Sequence, residues 1–172
     1  EARVLIIDAD LRKPRINRYL SLTRENGLSD LLCGLIDTEQ AIKHSDKYKM
    51  DCIASGHIPP NPTDLLTSSE MGNLLEKLSE KYDYIFIDCP AGIERGLRNV
   101  LNAGVDAIIL IATPDDISIR SAERTAQLIE SKNAPRPCLI VNRLDSQLIR
   151  DGEMLSARTV AQILDIMDYI SN

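Results

Sequence analysis

Two stretches of the chain end an apolar run in Ile-Asp. Residues 1–15 read EARVLIIDADLRKPR, and residues 82–96 read YDYIFIDCPAGIERG. The first delivers Asp8 and Asp10, the second Asp88. A carboxylate at the end of a buried strand can hold Mg²⁺ directly or through a water, because Mg²⁺ favours few carboxylates supplemented by phosphate oxygens. A second carboxylate beside it can orient or deprotonate an attacking hydroxyl. Asp8, Asp10 and Asp88 therefore suit nucleotide-dependent phosphoryl transfer. The competing reading is that Asp8 and Asp88 only cap the turns that follow them.

Carboxylates placed this way need a sheet. Arg3–Asp8 reads as a strand whose continuous apolar character implies burial on both faces, as in a parallel sheet. Pro14 can open a short helix at KPRINRYL. Leu28–Cys33 and Thr38–Ile42 read as two short helices separated by Gly34, Asp51–Ala54 as a weak strand, and GHIPPNPTDLL as a rigid connection. Thr67–Glu70 has the form of a capping box, followed by a helix with Met71, Leu74, Leu75 and Leu78 on one face. Tyr82–Asp88 is the second strong strand, and Glu94–Ala103 a helix with Leu97, Val100 and Leu101 inward. Val105–Ala112 and Pro137–Val141 are further strands. Asp115–Lys132 is a long helix with Ile119, Ala122, Ala126 and Ile129 on its apolar face. Ser156–Leu164 is a last helix with Val160, Ile163 and Leu164 inward. This alternation predicts an α/β fold with a mostly parallel sheet and helices on both faces, in one domain over residues 1–172. Ligands in such sheets bind beyond the carboxyl ends of the strands, the edge that Asp8 and Asp88 occupy.

Composition narrows the classes. The chain has 172 residues, 44% hydrophobic and 27% charged, which suits a globular fold. No run of about 18 apolar residues reads as a membrane span. The formal net charge of −6 argues against a broadly basic nucleic-acid surface. Cys33, Cys52, Cys89 and Cys138 lack any C-x-x-C pair and read as core thiols in a reducing cytosol. His44 and His57 read as surface residues with neither a metal partner nor a triad. Arg12, Lys13, Arg15 and Arg18 form a basic cluster suited to phosphates, acidic partner surfaces or a neighbouring subunit, or a simple solvated face. Asp115-Asp116 opens the long helix, where carboxylates complement the dipole.

The motifs carry family resemblances. VLIIDADLRKP resembles the Walker A′ segment of bacterial tyrosine kinases of the capsule and exopolysaccharide type. GLSDLLCG, GHIPPNPTDLL and YDYIFIDCP extend that resemblance over about residues 1–90. Over about residues 82–166, IDCPAGIERGLRN, DAIILIATPDD, SAERTAQLIESK, LIVNRL and IRDGEMLSARTVAQILDI resemble the division-site ATPases of the MinD type. The two patterns meet near Asp88–Pro90, a motif the families share. Both are deviant-Walker P-loop ATPases related to ParA. The resemblance implies that Asp8 and Asp10 are the Walker A′ carboxylates, serving Mg²⁺ and the attacking group, and that Asp88 is the Walker B residue that reaches Mg²⁺ through water. Pro90, Ala91 and Gly92 match the switch segment that responds to the γ-phosphate. Asn142 matches the amide that reads adenine, a role suited to a group offering donor and acceptor together. Arg143 beside it would stack on or frame the base. From residue type alone Asn142 reads as a turn residue after a strand.

A P-loop has the form G-x-x-x-x-G-K-[ST], and the chain contains no Gly-Lys dipeptide. In both families that loop precedes VLIID, so the chain reads as lacking its first strand, P-loop and first helix. Losing three hydrogen bonds to phosphate removes roughly 6 kcal/mol, about 10⁴-fold in affinity. The chain alone is therefore expected not to bind ATP usefully and to be inactive. It also reads as ending before a MinD-type basic membrane helix. Ser156–Ser171 carries Asp165 and Asp168 against Arg158 alone, which suits core packing better than a membrane surface. A kinase tail would be Tyr-rich, whereas this last stretch offers Tyr169.

The resemblance thus implies a MinD/ParA-type ATPase using ATP and Mg²⁺ in its intact form. Its partners would be a second copy, or another chain of the same fold, and a regulatory protein. It would be cytoplasmic, touching the inner face of the bacterial membrane only through a further C-terminal helix. The alternatives are a cytoplasmic tyrosine kinase of polysaccharide export and a non-catalytic scaffold. Nucleic acid is not an expected partner.

Overall fold

The computed structural model describes residues 2–60, 65–66, 69–90, 95–102 and 104–171. The chain forms two compact units, Glu1–Ala103 and Gly104–Asn172.

The first unit contains β1 (Val4–Asp8), α1 (Ile16–Tyr19), α2 (Leu28–Leu32), α3 (Thr38–Ala41), β2 (Ile42–Ser45), β3 (Met50–Ile53), α4 (Ser69–Ser79), β4 (Tyr84–Asp88) and α5 (Arg95–Asn102). Its sheet runs β2-β3-β1-β4. β1 pairs in parallel with β3 and β4, and β2 returns antiparallel to β3. One face of β1 explains the core. Leu5 and Ile7 are fully buried and pack with Ile53 and with Met71, Leu74 and Leu78 of α4. Those three residues recur at helical spacing, so a single stripe covers the strands. On the opposite face Tyr84 and Phe86 stay 59% and 49% exposed.

The second unit contains β5 (Ile109–Ala112), α6 (Asp116–Ser131), β6 (Cys138–Val141), α7 (Ser146–Arg150), α8 (Ala157–Ile163) and β7 (Tyr169–Ser171). Its sheet is all parallel in the order β5-β6-β7. Leu110, Leu139 and Val141 pack against Ile119 and Ala122 of α6 and Val160 and Ala161 of α8. Asp115 caps α6 by accepting from the Ser118 N–H at 3.0 Å, and Ser156 caps α8 through the Thr159 N–H.

The expected α/β class with mostly parallel sheets is present. Several details differ. Ile42 opens β2 instead of closing a helix, because α3 stops at Ala41 and Ile42 is extended. KPRINRYL turns helical only from Ile16, since the Asp8 carboxylate accepts the Ile16 N–H and starts the helix there. Ile163 lies 48% exposed, because the buried stripe of α8 runs through Ala157, Val160, Ala161 and Leu164 and leaves it to the side. Of the four thiols only Cys52 is fully buried, and Cys33 is exposed just past α2. Tyr169 is part of β7, paired with Leu139. The capping-box residues Thr67 and Ser68 lie outside the described residues.

Two glycines illustrate how the sequence positions the edge of the first sheet. Gly27 precedes α2, where an added Cβ would sit 2.2 Å from Gly56 N and 2.3 Å from Ala54 O. That contact lets Leu28 N donate to Ala54 O at 2.7 Å and Ser29 N to Ser55 O at 3.0 Å. Gly72, inside α4, meets nothing within 4 Å of such a Cβ. Gly27→Ala is therefore expected to cost more than about 2 kcal/mol, whereas Gly72→Ala adds about 0.5–1 kcal/mol. Urea unfolding midpoints of the two variants check this opposition of sign.

Candidate functional site

The site is built on the parallel pair β1–β4. Its register places Val4 opposite Tyr84 and Asp8 opposite Asp88. Residues paired this way share a face, on strands about 4.8 Å apart. Asp8 and Asp88 thus stand side by side at the carboxyl edge. The chain beyond β1 folds tightly, with Ala9 N donating to Asp88 O at 2.9 Å and Leu11 N to Ala9 O at 3.0 Å. Asp10 is carried to the same edge by this turn.

The three carboxylates differ in surroundings. Asp8 is fully buried. Its Oδ1 accepts from Asp10 N at 3.3 Å and its Oδ2 from Ile16 N at 3.2 Å. Burial pushes its pKa up to about 6; the Ile16 N–H opposes the shift and the negative Asp88 adds to it. Asp10 uses Oδ1 to accept from Arg12 N at 3.2 Å and Lys13 N at 2.9 Å. Asp88 sits at the exposed end of β4, and partial desolvation followed by the charge of Asp10 raises its pKa. Among the described residues no cationic side chain pairs with Asp8 or Asp88. Such a negative cluster is chemically suited to a hard cation with oxygen ligands, such as Mg²⁺. Among the described residues no group of three or more His, Cys, Asp or Glu side chains is placed to hold a metal ion by itself. A cation here would take its remaining ligands from phosphate or water.

Pro90 lies just beyond β4, half-buried, while Ala91 and Gly92 fall outside the described residues. Asn142 and Arg143 belong to the second unit. Asn142 follows β6, its N–H donating to Ala112 O at 2.8 Å, and its side-chain Oδ1 accepts from Arg143 N at 2.8 Å. Both side chains are exposed, and Arg143 has φ of 61°, an uncommon conformation for a non-glycine residue. Beside them Thr113 donates its hydroxyl to Asp115, and that bond, with the Ser118 N–H and the nearby charge of Arg143, holds the Asp115 carboxyl below its usual range. The amide, guanidinium and carboxylate therefore share the carboxyl edge of the second sheet.

Sequence reasoning missed one arrangement. Asp30, buried at the start of α2, accepts the Gly27 N–H at 2.9 Å and holds the His57 Nδ1 at 2.8 Å. His44 likewise contacts Asp51 at 2.8 Å. Neither partner lies within four residues of its histidine: β2–β3 pairing sets His44 opposite Asp51, and the close approach of Gly27 to Gly56 brings Asp30 to His57, so no local pattern announces them.

No family model matches the chain. The septum site-determining protein MinD of Synechocystis sp. is 31% identical over 166 residues, covering 95% of this chain and 62% of that protein. The tyrosine-protein kinase ptk of Acinetobacter johnsonii is 43% identical over 90 residues, 52% of this chain and 12% of the kinase. Among solved structures, the MinC:MinD cell division protein complex of Aquifex aeolicus gives a TM-score of 0.82 at 26% identity, over 98% of this chain and 67% of that one. The septum site-determining protein MinD complexed with Mg-ADP from Pyrococcus horikoshii has the same fold, with a TM-score of 0.78 at 21% identity, over 99% of this chain and 69% of that one. The chain spans less than two thirds of the curated relatives' length.

The buried Asp8 has a measurable consequence. Its folded pKa of about 6 exceeds the ordinary 3.8, so the native state holds the proton longer than the unfolded state. Its contribution to stability is complete below about pH 4 and is lost as pH rises through 6, by on the order of 2–3 kcal/mol. Thermal melts without divalent cations are expected to show this decline in the parent and a flatter profile in Asp8→Asn. With its α/β fold, its register-paired strand-end aspartates and its similarity to MinD proteins over nearly all its length, the chain is similar to the MinD/ParA-type P-loop ATPases, with bacterial tyrosine kinases among its relatives.

Proposed function

We propose that the chain is the carboxylate-bearing part of a MinD/ParA-type ATPase, a switch in which ATP drives dimerisation and hydrolysis releases the dimer. Its setting would be bacterial cell division or spatial organisation. The reading rests on the register pairing of Asp8 with Asp88 in a chain similar to a MinD protein over 95% of its length. Asp10 would orient the attacking water, for which its Oδ2 is open among the described residues. Asp8 and Asp88 would hold Mg²⁺, whose charge would offset both carboxylates and phosphate. Pro90, Ala91 and Gly92 would respond to the γ-phosphate, and Asn142 and Arg143 would frame the base. The phosphate-binding loop would come from outside residues 1–172, as part of the same ATPase domain. A second copy would be the first partner, and the MinC-bound relative supports a regulatory protein as another. No described helix is long and apolar enough to cross a membrane. The intact protein would be cytoplasmic, with peripheral membrane contact only through a further C-terminal helix.

A second reading has its own support. The identity of 43% over 90 residues with a tyrosine kinase favours a kinase of polysaccharide export, in which Asp8 or Asp10 would activate a tyrosine hydroxyl. A scaffold without turnover would keep the fold and neither activity.

The readings separate by experiment. Calorimetric titration of residues 1–172 with Mg-ATP is expected to show no micromolar binding; tight binding would remove the need for an outside loop. The full-length gene product is expected to shift from monomer to dimer with Mg-ATP in light scattering. Asp10→Ala should prolong the dimer by slowing phosphate release about 10²-fold or more. Phosphotyrosine after incubation with Mg-ATP would place the kinase first, and neither dimerisation nor phosphate release would leave the scaffold.

A further inference from the structure

The segment between Asp10 and Glu25 contains Arg12, Lys13, Arg15, Arg18 and Arg24 and no acidic residue, in a chain of net charge −6. The fold turns this bias into a surface. Leu11 and Leu20 are buried, 2% and 8% exposed, and anchor both ends of its first turn. Asp10 and Asp8 hold its backbone: Asp10 accepts from Arg12 N and Lys13 N, and Asp8 from Ile16 N. Asn17 Nδ2 donates to Leu22 O at 3.4 Å and Leu22 N to Asn17 O at 2.8 Å, which closes the loop after α1. Lys43 Nζ clamps the far end by donating to Glu25 O at 2.6 Å and Asn26 O at 3.1 Å. Lys13, Arg15, Arg18 and Arg24 are all exposed, and among the described residues none has an ion-pair partner. Arg15 and Arg18 are three residues apart, so they project on the same side of the turn. Tyr19 stands 67% exposed beside them.

We infer that this ridge docks an acidic segment of a protein partner at the edge that carries Asp8 and Asp10. A guanidinium grips a carboxylate with two parallel hydrogen bonds, and the exposed tyrosine ring offers apolar area to the same peptide. A pinned backbone lowers the ordering cost of such a contact. The acidic balance of the remaining chain favours a short acidic segment over a long polyanion, which would extend past the ridge onto like charge. The inference goes beyond the nucleotide switch and holds whether or not the chain binds ATP.

Fluorescence anisotropy with a short labelled peptide of Glu, Asp and one Tyr tests it on residues 1–172. Binding is expected at low ionic strength and should weaken as salt rises. Arg15→Glu/Arg18→Glu should weaken it about tenfold or more, and the neutral Arg15→Gln/Arg18→Gln to a lesser degree. Lys77→Glu/Lys81→Glu carries the same change in net charge on exposed positions and should alter it less than about twofold. Urea midpoints matching the parent show that each variant is folded; if the Glu pair unfolds, the Gln pair decides. Equal weakening by the two Glu pairs would reduce the effect to net charge and overturn the inference. So would an absence of peptide binding, or a DNA duplex that binds more tightly than the peptide through the same arginines.

Discussion

The parallel pairing of β1 with β4 is the constraint on which the first unit depends. One register serves both core and chemistry: Leu5 and Ile7 meet Ile85 and Ile87 on the packed face, while Asp8 meets Asp88 on the other. A slip of one residue would turn Leu5 and Ile7 out of the core and take Asp8 out of register with Asp88. Burial of the aliphatic side chains, worth about 1.5–3 kcal/mol each, therefore also selects the one pairing in which the carboxylates stand together. The site inherits its geometry from the hydrophobic core.

That arrangement is electrostatically costly, and the fold offsets it locally. Asp8 has lost its water and faces a second carboxylate, and two backbone N–H groups stabilise its charged form only in part. A carboxylate poised near neutrality beside another is a common feature of functional sites, because few structural needs call for it. The same backbone bonds shape the segment after β1. By accepting from Arg12 N, Lys13 N and Ile16 N, Asp8 and Asp10 stay with the main chain, and the basic side chains of that segment turn to solvent.

Legibility in the sequence varied with the range of the interaction. β1 and β4 were readable because an apolar run ending in Asp is a local pattern, and α4 and α6 because their apolar residues recur at helical spacing. The short β2, α7 and β7 were not readable. IKHS is too brief and polar to mark a strand, and it is held as one by pairing with β3. YIS becomes a strand only because β6 lies beside it. The Asp30–His57 contact joins residues 27 positions apart through two glycines that let the chains touch.

By itself the sequence determined which residues could do chemistry and which families they resemble: Asp8, Asp10 and Asp88 sit in motifs whose spacing is local, and local patterns survive in a linear string. Only the tertiary structure decided that Asp8 and Asp88 are in register, that Asp8 is the buried member with the raised pKa, and that Lys13, Arg15, Arg18 and Arg24 face solvent without ion-pair partners among the described residues. Those outcomes depend on burial and on which strand pairs with which. Both are properties of contacts between distant residues, and no stretch of sequence contains them.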